Sequence, residues 1–276
     1  MGAVEQTVEA LSRLVGKGGV LVLSGAGLST ESGIPDYRGP SGMRRNAQPM
    51  TYQTFTRDPI ARRRYWARSH LGWRNIARAA PNAGHLAVGR LQARGLLAGI
   101  ITQNVDGLHQ AGGAGDVVEL HGALDRVVCL DCGELSGRTE LHARLAEANE
   151  TFTATSDQIN PDGDVDLTDE QAAGFVVADC RRCAGMLKPD VVFFGESVPA
   201  QRVQHCFDLV ERCAGLLVLG SSLTVMSGRR FVVRAAKLGL PIAIVNQGPT
   251  RGDALATILL DAPLGAVLSA VAWNLR

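Results

Sequence analysis

An open, mostly parallel α/β sheet, interrupted by a smaller metal-binding module and a helical lobe, is the fold this sequence predicts. Four short apolar runs carry the sheet: Gly19–Leu23, Leu97–Thr102, Leu216–Gly220 and Ile242–Asn246. Their length and β-branched content suit strands buried on both faces. Helical patterns lie between them, at Asn82–Arg94, Ala200–Cys213 and Gly228–Leu238, and strand–helix alternation of this kind implies right-handed crossovers. The third observation is a break in that alternation, Arg126–Gly185, which holds two Cys-x-x-Cys pairs.

Taken in order, Met1–Gly19 mixes acidic, basic and apolar side chains and reads as an amphipathic helix without the features of a secretory leader. The first strand runs into Ser24-Gly25-Ala26-Gly27-Leu28-Ser29-Thr30. Glycines at 25 and 27 permit a tight turn and a close approach of backbone N–H groups to a pyrophosphate. Thr30 stands where the usual dinucleotide fingerprint has its third glycine, and no acidic residue closes a second strand about 20 residues on. Gly39–Ala80, rich in Arg, Tyr and Trp, is expected to form a helical lobe. Pro81 and Pro199 mark the starts of the next helix and of the Ala200 helix. Parallel sheets bind ligands at the carboxyl ends of their strands. Here those ends read Ser24–Gly27, Gln103–Asp106, Gly220–Ser222 and Asn246–Gly248, every one polar or glycine-rich.

Cys129/Cys132 and Cys180/Cys183 suit a closed tetrahedral zinc site, since each short knuckle aims two sulfurs at one ion. A redox pair would need only one such motif. With all four positions filled by sulfur the metal holds structure, and the chemistry lies elsewhere. Between the pairs, Pro161–Asp166 is acidic and expected as a surface loop; it lacks the spacing of an EF-hand. Cys206 and Cys213 fall on one helical face and read as core. His121, in the turn Leu120-His121-Gly122, is the first candidate for catalysis, because an imidazole titrates near ~6.5.

The bulk composition excludes several classes. The chain of 276 residues is 46% hydrophobic and 20% charged, with a formal net charge of +1, so no global field recruits nucleic acid or an anionic membrane. Its apolar runs are too short for a membrane span. Six cysteines without a leader point to a reducing, cytoplasmic setting.

Residues 25–38, Gly-Ala-Gly-Leu-Ser-Thr-Glu-Ser-Gly-Ile-Pro-Asp-Tyr-Arg, together with Thr102–His109, Leu120-His121-Gly122, Lys188–Glu196 and Gly220–Leu223, resemble the sirtuin signatures over nearly the whole chain. Tyr65-Trp66-Ala67-Arg68, Cys129–Gly133 and Pro161–Asp164 are most similar to the class II, sirtuin-4-like branch. The resemblance implies a Rossmann-type NAD-binding domain formed by residues 1–40, 81–125 and 186–276, a helical lobe at 41–80 and a zinc-binding module at 126–185. It implies NAD-dependent removal of acyl groups from protein lysines. In that chemistry the acyl oxygen attacks C1′ of the nicotinamide ribose and nicotinamide leaves. A ribose hydroxyl then attacks the imidate, giving free lysine and O-acyl-ADP-ribose.

The same resemblance implies residue roles. His121 is the general base, Asn104 positions ribose and water, and Asp106 meets the nicotinamide carboxamide. Gln103 contacts ribose, while Ser29 and Arg38 order the loop or the phosphates. Gly25, Ala26, Gly27, Thr30, Asp36 and Tyr37 join them in holding NAD. Gly220, Ser221, Ser222, Asn246, Gln247, Gly248 and Leu264 serve the adenosine side. The acyl-lysine lies between Phe194-Gly195-Glu196 and Thr224-Val225, its stem passing Val192. Tyr65 and Arg68, one helical turn apart, are expected to clasp an acidic acyl group, making succinyl- or glutaryl-lysine at least as good a substrate as acetyl-lysine. Three other readings stay open on the residues: mono-ADP-ribosyl transfer to protein, a zinc-ribbon binding module, and a hydride-transferring dehydrogenase.

Overall fold

Strands form where apolar residues alternate between two helical layers. In the computed structural model, which describes residues 2–38, 49–155, 160 and 162–275, the strands are β1 (Val20–Ser24), β2 (Leu97–Thr102), β3 (Val117–Glu119), β4 (Gly122–Cys129), β5 (Leu135–Gly137), β6 (Leu187–Val191), β7 (Gly215–Leu219), β8 (Ile242–Asn246) and β9 (Ile258–Asp261). The helices are α1 (Ala3–Gly16), α2 (Tyr52–Arg57), α3 (Pro59–Arg78), α4 (Ala83–Ala93), α5 (Leu108–Ala111), α6 (Arg138–Ala148), α7 (Asp169–Ala172), α8 (Ala200–Arg212), α9 (Met226–Lys237) and α10 (Leu264–Asn274). Among the described residues no helix is long and apolar enough to cross a membrane.

Six strands make one sheet in the order β3-β2-β1-β7-β8-β9, and every pairing in it is parallel. The pleat sends Val20 and Val22 of β1 into a core with α1, α4 and α10, and Leu21 and Leu23 into a second layer with α8 and α9. Each such fully buried aliphatic side chain contributes roughly 1.5–3 kcal/mol. Strands β3 and β9, absent from the sequence reading, are short edge strands whose patterns do not rise above turn residues. The order switches between β1 and β7. There Gly25 N–H donates to Leu219 O at 2.9 Å and Gly27 N–H to Gly220 O at 2.8 Å.

A second, antiparallel sheet, β5-β4-β6, carries the cysteines. It packs with α2, α3 and α6 into one core through Phe55, Tyr65, Trp66, Val127, Leu141 and Phe193. The segments read as a separate helical lobe and metal module therefore share an interior; residues 41–48 of that lobe lie outside the described residues. β6, whose residues fall within the 186–276 segment expected in the Rossmann-type domain, pairs in this smaller sheet.

The acidic segment is a correction. Pro161 lies outside the described residues, but Asn160, Gly163, Asp164 and Val165 are buried and not on the surface as expected. Two features of α3 accept them: the Arg68 guanidinium, which meets Asp164 at 2.9 Å, and Gly72, where a Cβ would stand 2.1 Å from the Gly163 carbonyl oxygen.

The cysteines converge. Cys129 Sγ lies 3.5 Å from Cys183 Sγ and Cys132 Sγ lies 3.8 Å from Cys180 Sγ, and all four sulfurs fall within 4.8 Å of one another. Thiolates ~2.3 Å from a tetrahedral zinc stand roughly 3.8 Å apart, so the cage fits that ion. Each knuckle closes on a left-handed residue, Gly133 (φ 72°) and Ala184 (φ 58°), whose N–H donates to the carbonyl of the first cysteine of its pair. Cys206 and Cys213 are buried, as expected of core thiols.

Two outcomes are expected from this architecture. Metal analysis of the purified chain should find stoichiometric zinc, and Cys180→Ser should lose it together with the near-ultraviolet signal of the Trp66–Trp73 region; a wild-type chain holding no zinc with its cysteines reduced overturns the assignment. Gly220 has φ +62°, and a Cβ there would stand 2.4 Å from Leu28 N. Gly220→Ala is therefore expected to cost about 2–4 kcal/mol, read as a lower urea midpoint at unchanged slope.

Candidate active site

The carboxyl ends of β1, β2, β7 and β8 open on one cavity of about 990 Å³ that reaches into the second core. Its sheet-side wall begins with Gly25, Ala26, Gly27 and Ser29, and Asp36, Tyr37 and Arg38 continue it. A Cβ on Gly27 would stand 2.9 Å from Gly220 Cα, so only glycine lets this turn lie on the β7 end. Ser221, Ser222, Asn246, Gln247 and Gly248 complete that wall with Gly220. Asn246 Nδ2 donates to Gln247 O at 3.0 Å and Gly248 O at 2.8 Å, holding the loop after β8.

The end of β2 supplies Gln103, Asn104 and Asp106, and hydrogen bonds tie all three to the neighbouring strand ends. Gln103 Nε2 donates to Ser24 O at 3.2 Å and Ser221 Oγ at 2.8 Å. Asn104 Nδ2 donates to Gly25 O at 3.1 Å and Ser29 Oγ at 3.0 Å. Ser29 Oγ in turn donates to Asp106 Oδ2 at 2.6 Å, while Asp106 Oδ1 accepts the Leu108 N–H at 3.0 Å. Glycine turn, amide and carboxylate thus form one connected unit at the cavity floor.

His121 stands between β3 and β4. Its Nδ1 lies 2.9 Å from Gln103 O, and its Nε2 lies 2.8 Å from Ser227 Oγ. A carbonyl only accepts, so the network assigns the proton to Nδ1 and leaves the Nε2 lone pair for a donor. Burial lowers the imidazole below its usual value, the Gln103 carbonyl opposes this, and Arg202 and Arg230 lower it further. At neutral pH the ring is therefore uncharged and able to take a proton. Ser227, on the first turn of α9, escaped the sequence reading: a serine at a helix start is ordinary, and only the fold brings it to His121.

The opposite wall is Val192, Phe194, Gly195 and Glu196, facing Thr224 and Val225. Val192 N–H donates to His121 O at 2.8 Å, which ties this wall to the imidazole backbone. Glu196 Oε2 accepts the Phe193 N–H at 2.9 Å and pairs with Lys188 at 3.1 Å. The Lys188 ammonium sits 4.8 Å from the Phe193 ring centroid, and burial pushes its pKa down against the pull of Glu196. Tyr65, Ile76, Leu124 and Asp162 also line the cavity, the last three again not anticipated.

Three expected residues stand elsewhere. Thr30 turns its hydroxyl back to Gly27 O at 2.9 Å and braces the turn instead of facing the cavity. Leu264 is buried in the core beside Leu28 and Leu268, because the first turn of α10 points its apolar face at the sheet. Arg68 does not line the cavity: its Nε donates to Val165 O at 2.7 Å and its Nη2 meets Asp164. Tyr65 does line it, packed edge-on against Phe55, Trp66 and Phe193.

Comparison with known proteins agrees with this geometry. Residues 25–227 match the model of the Sir2 family. A protein of Streptomyces coelicolor named NAD-dependent protein deacetylase 1 is 64% identical over 258 residues, covering 94% of this chain and 86% of that one. A Mycobacterium avium protein of the same name is 49% identical, covering 93% and 91%. A solved Sir2 structure with a peptide and NAD+ superposes with TM-score 0.77 at 27% identity, covering 97% of this chain and 98% of that one. Another, holding a deacetylated peptide and 3′-O-acetyl-ADP-ribose, superposes with TM-score 0.78 at 27% identity and the same coverage. The matched span runs from the glycine turn through the cysteine module to Ser227, and the chain belongs to the Sir2 family.

Proposed function

We propose that this chain is an NAD-dependent protein-lysine deacylase, consuming NAD as co-substrate and releasing nicotinamide and O-acyl-ADP-ribose. The observation that carries the reading is the neutral His121 in the cavity lining, its Nδ1 held by Gln103 O and its Nε2 lone pair facing the Ser227 hydroxyl. A general base needs that tautomer and that protonation state. The names of the relatives and the peptide, NAD+ and acetyl-ADP-ribose in the matched structures support the same substrate classes.

The residues divide the work as follows. The glycine turn offers backbone N–H groups for the pyrophosphate, and its closeness to Gly220 sets where that group lies. Asn104 and Asp106, joined through Ser29, present an amide and a carboxylate to ribose and to the nicotinamide carboxamide. The acyl-lysine enters between Phe194–Glu196 and Thr224–Val225 as an added strand, read through its main chain. Its acyl oxygen attacks C1′ as nicotinamide leaves. His121 Nε2 then takes the proton of the ribose hydroxyl that attacks the imidate, with the Ser227 hydroxyl yielding its place; the lysine amine leaves the resulting adduct and a water adds in its stead, giving O-acyl-ADP-ribose. The cysteine-held zinc supplies no step and keeps β4 and β6 in register. Four cysteines gathered into a metal cage and two, Cys206 and Cys213, buried in the core suit a cytoplasmic location, and Tyr65-Trp66-Ala67-Arg68 with Asp162-Gly163-Asp164 supports placing the chain in the class II, sirtuin-4-like branch.

Mass spectrometry of one reaction with NAD and an acetyl-lysine peptide tests the function. Nicotinamide with O-acetyl-ADP-ribose is the expected product pair; a protein labelled with ADP-ribose, or NADH, refutes it. His121→Ala should lower kcat by ~10²–10⁴, the usual worth of a general base. Because the base works uncharged and burial lowers its pKa from 6.5, activity should fall with decreasing pH through a midpoint below 6.5. An acidic limb centred above that value would place the base elsewhere.

A further inference from the structure

The cavity lining that includes Tyr65 holds a carboxylate, Asp162, that the sequence alone does not place there. The expectation of a carboxylate clasp rests on a free Arg68, yet that guanidinium is committed. It pairs with Asp164 at 2.9 Å and Asp166 at 3.5 Å, its own side chain 14% exposed and that of Asp164 3%. Asn160 Nδ2 closes the cluster, donating to Asp164 at 2.8 Å and Asp166 at 2.9 Å. A ligand carboxylate taking Nη2 would displace Asp164 and leave that buried carboxylate unpaired, which is strongly unfavourable.

The same cluster carries Asp162 to the cavity. Gly72 of α3 admits the Gly163 carbonyl where any Cβ would meet it at 2.1 Å. Gly163 has φ 73°, and a Cβ on it would stand 2.5 Å from Ile76 Cγ1 and 3.1 Å from Leu124 Cδ1. Ile76, Leu124 and Tyr65 line the cavity, and Asp162, next to Gly163, lines it with them; Tyr65 is where the sequence reading expects the acyl group. The neighbouring cation, Arg138, is sealed away: it is 1% exposed, lies between the Trp66 and Trp73 rings, and donates to Ser69. Tyr65 remains a neutral phenol, its pKa raised by burial and then by Asp162 and Asp164. The cations that do line the cavity are Arg38, which is exposed and next to Tyr37, and Arg230, which acts on His121.

We infer that Asp162, held at the acyl end by the Arg68–Asp164 pair, makes this enzyme select uncharged acyl groups and reject dicarboxylic ones. Arg68 is then a positioning residue for the acidic segment rather than a ligand of the substrate. The inference rests on the deacylase reading for its substrate, though not for its electrostatics.

The decisive comparison uses the wild-type chain and one peptide sequence carrying acetyl-, succinyl- or succinamyl-lysine, the last being the carboxamide of the second with the same shape. Both kcat/KM and, by calorimetry, Kd are measured for each. Acetyl- and succinamyl-lysine should exceed succinyl-lysine by roughly tenfold or more in both, and raising the salt should narrow the gap. Asp162→Asn should bring succinyl-lysine to within a few-fold of its amide. Gly72→Ala, which displaces the segment without altering charge, should narrow the same ratio. Equal or better use of succinyl-lysine by the wild type overturns the inference, as does a selective loss of succinyl turnover in Arg68→Met. Absence of turnover on every peptide would instead refute the deacylase reading, and the Kd ratio would still decide the selectivity.

Discussion

The structure turns on one backbone contact. At Gly122 a Cβ would lie 1.9 Å from the Asp190 carbonyl oxygen, and the residue holds φ 82°, a conformation open to glycine. Here the chain leaves the parallel sheet, where Leu120 N–H donates to Thr102 O, and enters the antiparallel one. His121 is the single residue between these two commitments. Its carbonyl accepts the Val192 N–H and its ring reaches Gln103 and Ser227. The imidazole is thus fixed from both bodies at once, and the cavity exists because the two cores meet at this joint. A side chain at 122 would push β6 away, taking with it the wall that contains Val192 and Phe194.

Much of the nucleotide side was legible in the sequence because it is local. Strands β1, β2, β7 and β8 are continuous apolar runs, and their ends carry the glycines, amides and hydroxyls that line the cavity. The cysteine spacing declares its cage for the same reason: each knuckle is four residues long. What escaped depends on distant partners. Arg68 meets Asp164 across 96 residues, and a reading that sees only Tyr65-x-x-Arg68 has no means of knowing that the cation is taken. The acidic segment looked like solvated chain because its composition is hydrophilic; burial became affordable only through a cation and a glycine on α3. Leu264 is the converse case, a residue expected at the ligand that packs in the core.

The acyl end and the peptide wall follow a common rule for buried charge. Lys188 with Glu196 and Arg68 with Asp164 each place an ion where water is scarce, and each offsets the loss of hydration with an opposite charge and further hydrogen bonds. Such pairs contribute little net stability, but losing one partner costs about 3–5 kcal/mol. Their effect is therefore to fix position. Lys188 draws Glu196 back onto the Phe193 N–H and shapes the turn that faces the substrate strand. Arg68 draws Asp164 inward and so determines where Asp162 stands.

That division explains how one cavity can combine an uncharged base with charged walls. His121 must lose hydration to stay neutral, and the burial that lowers its pKa is produced by the same close packing that Gly122 permits. Cations near it, Arg202 and Arg230, lower the pKa in the same direction, so no carboxylate competes for the ring. Of the carboxylates in the lining, Asp106 is tied to Ser29 and Glu196 to Lys188, while Asp162 stands with Tyr65, Ile76 and Leu124. Because His121 is set by the Gly122 joint and Asp162 by the Gly72 seat, acyl selection can change without altering the protonation state on which proton transfer depends.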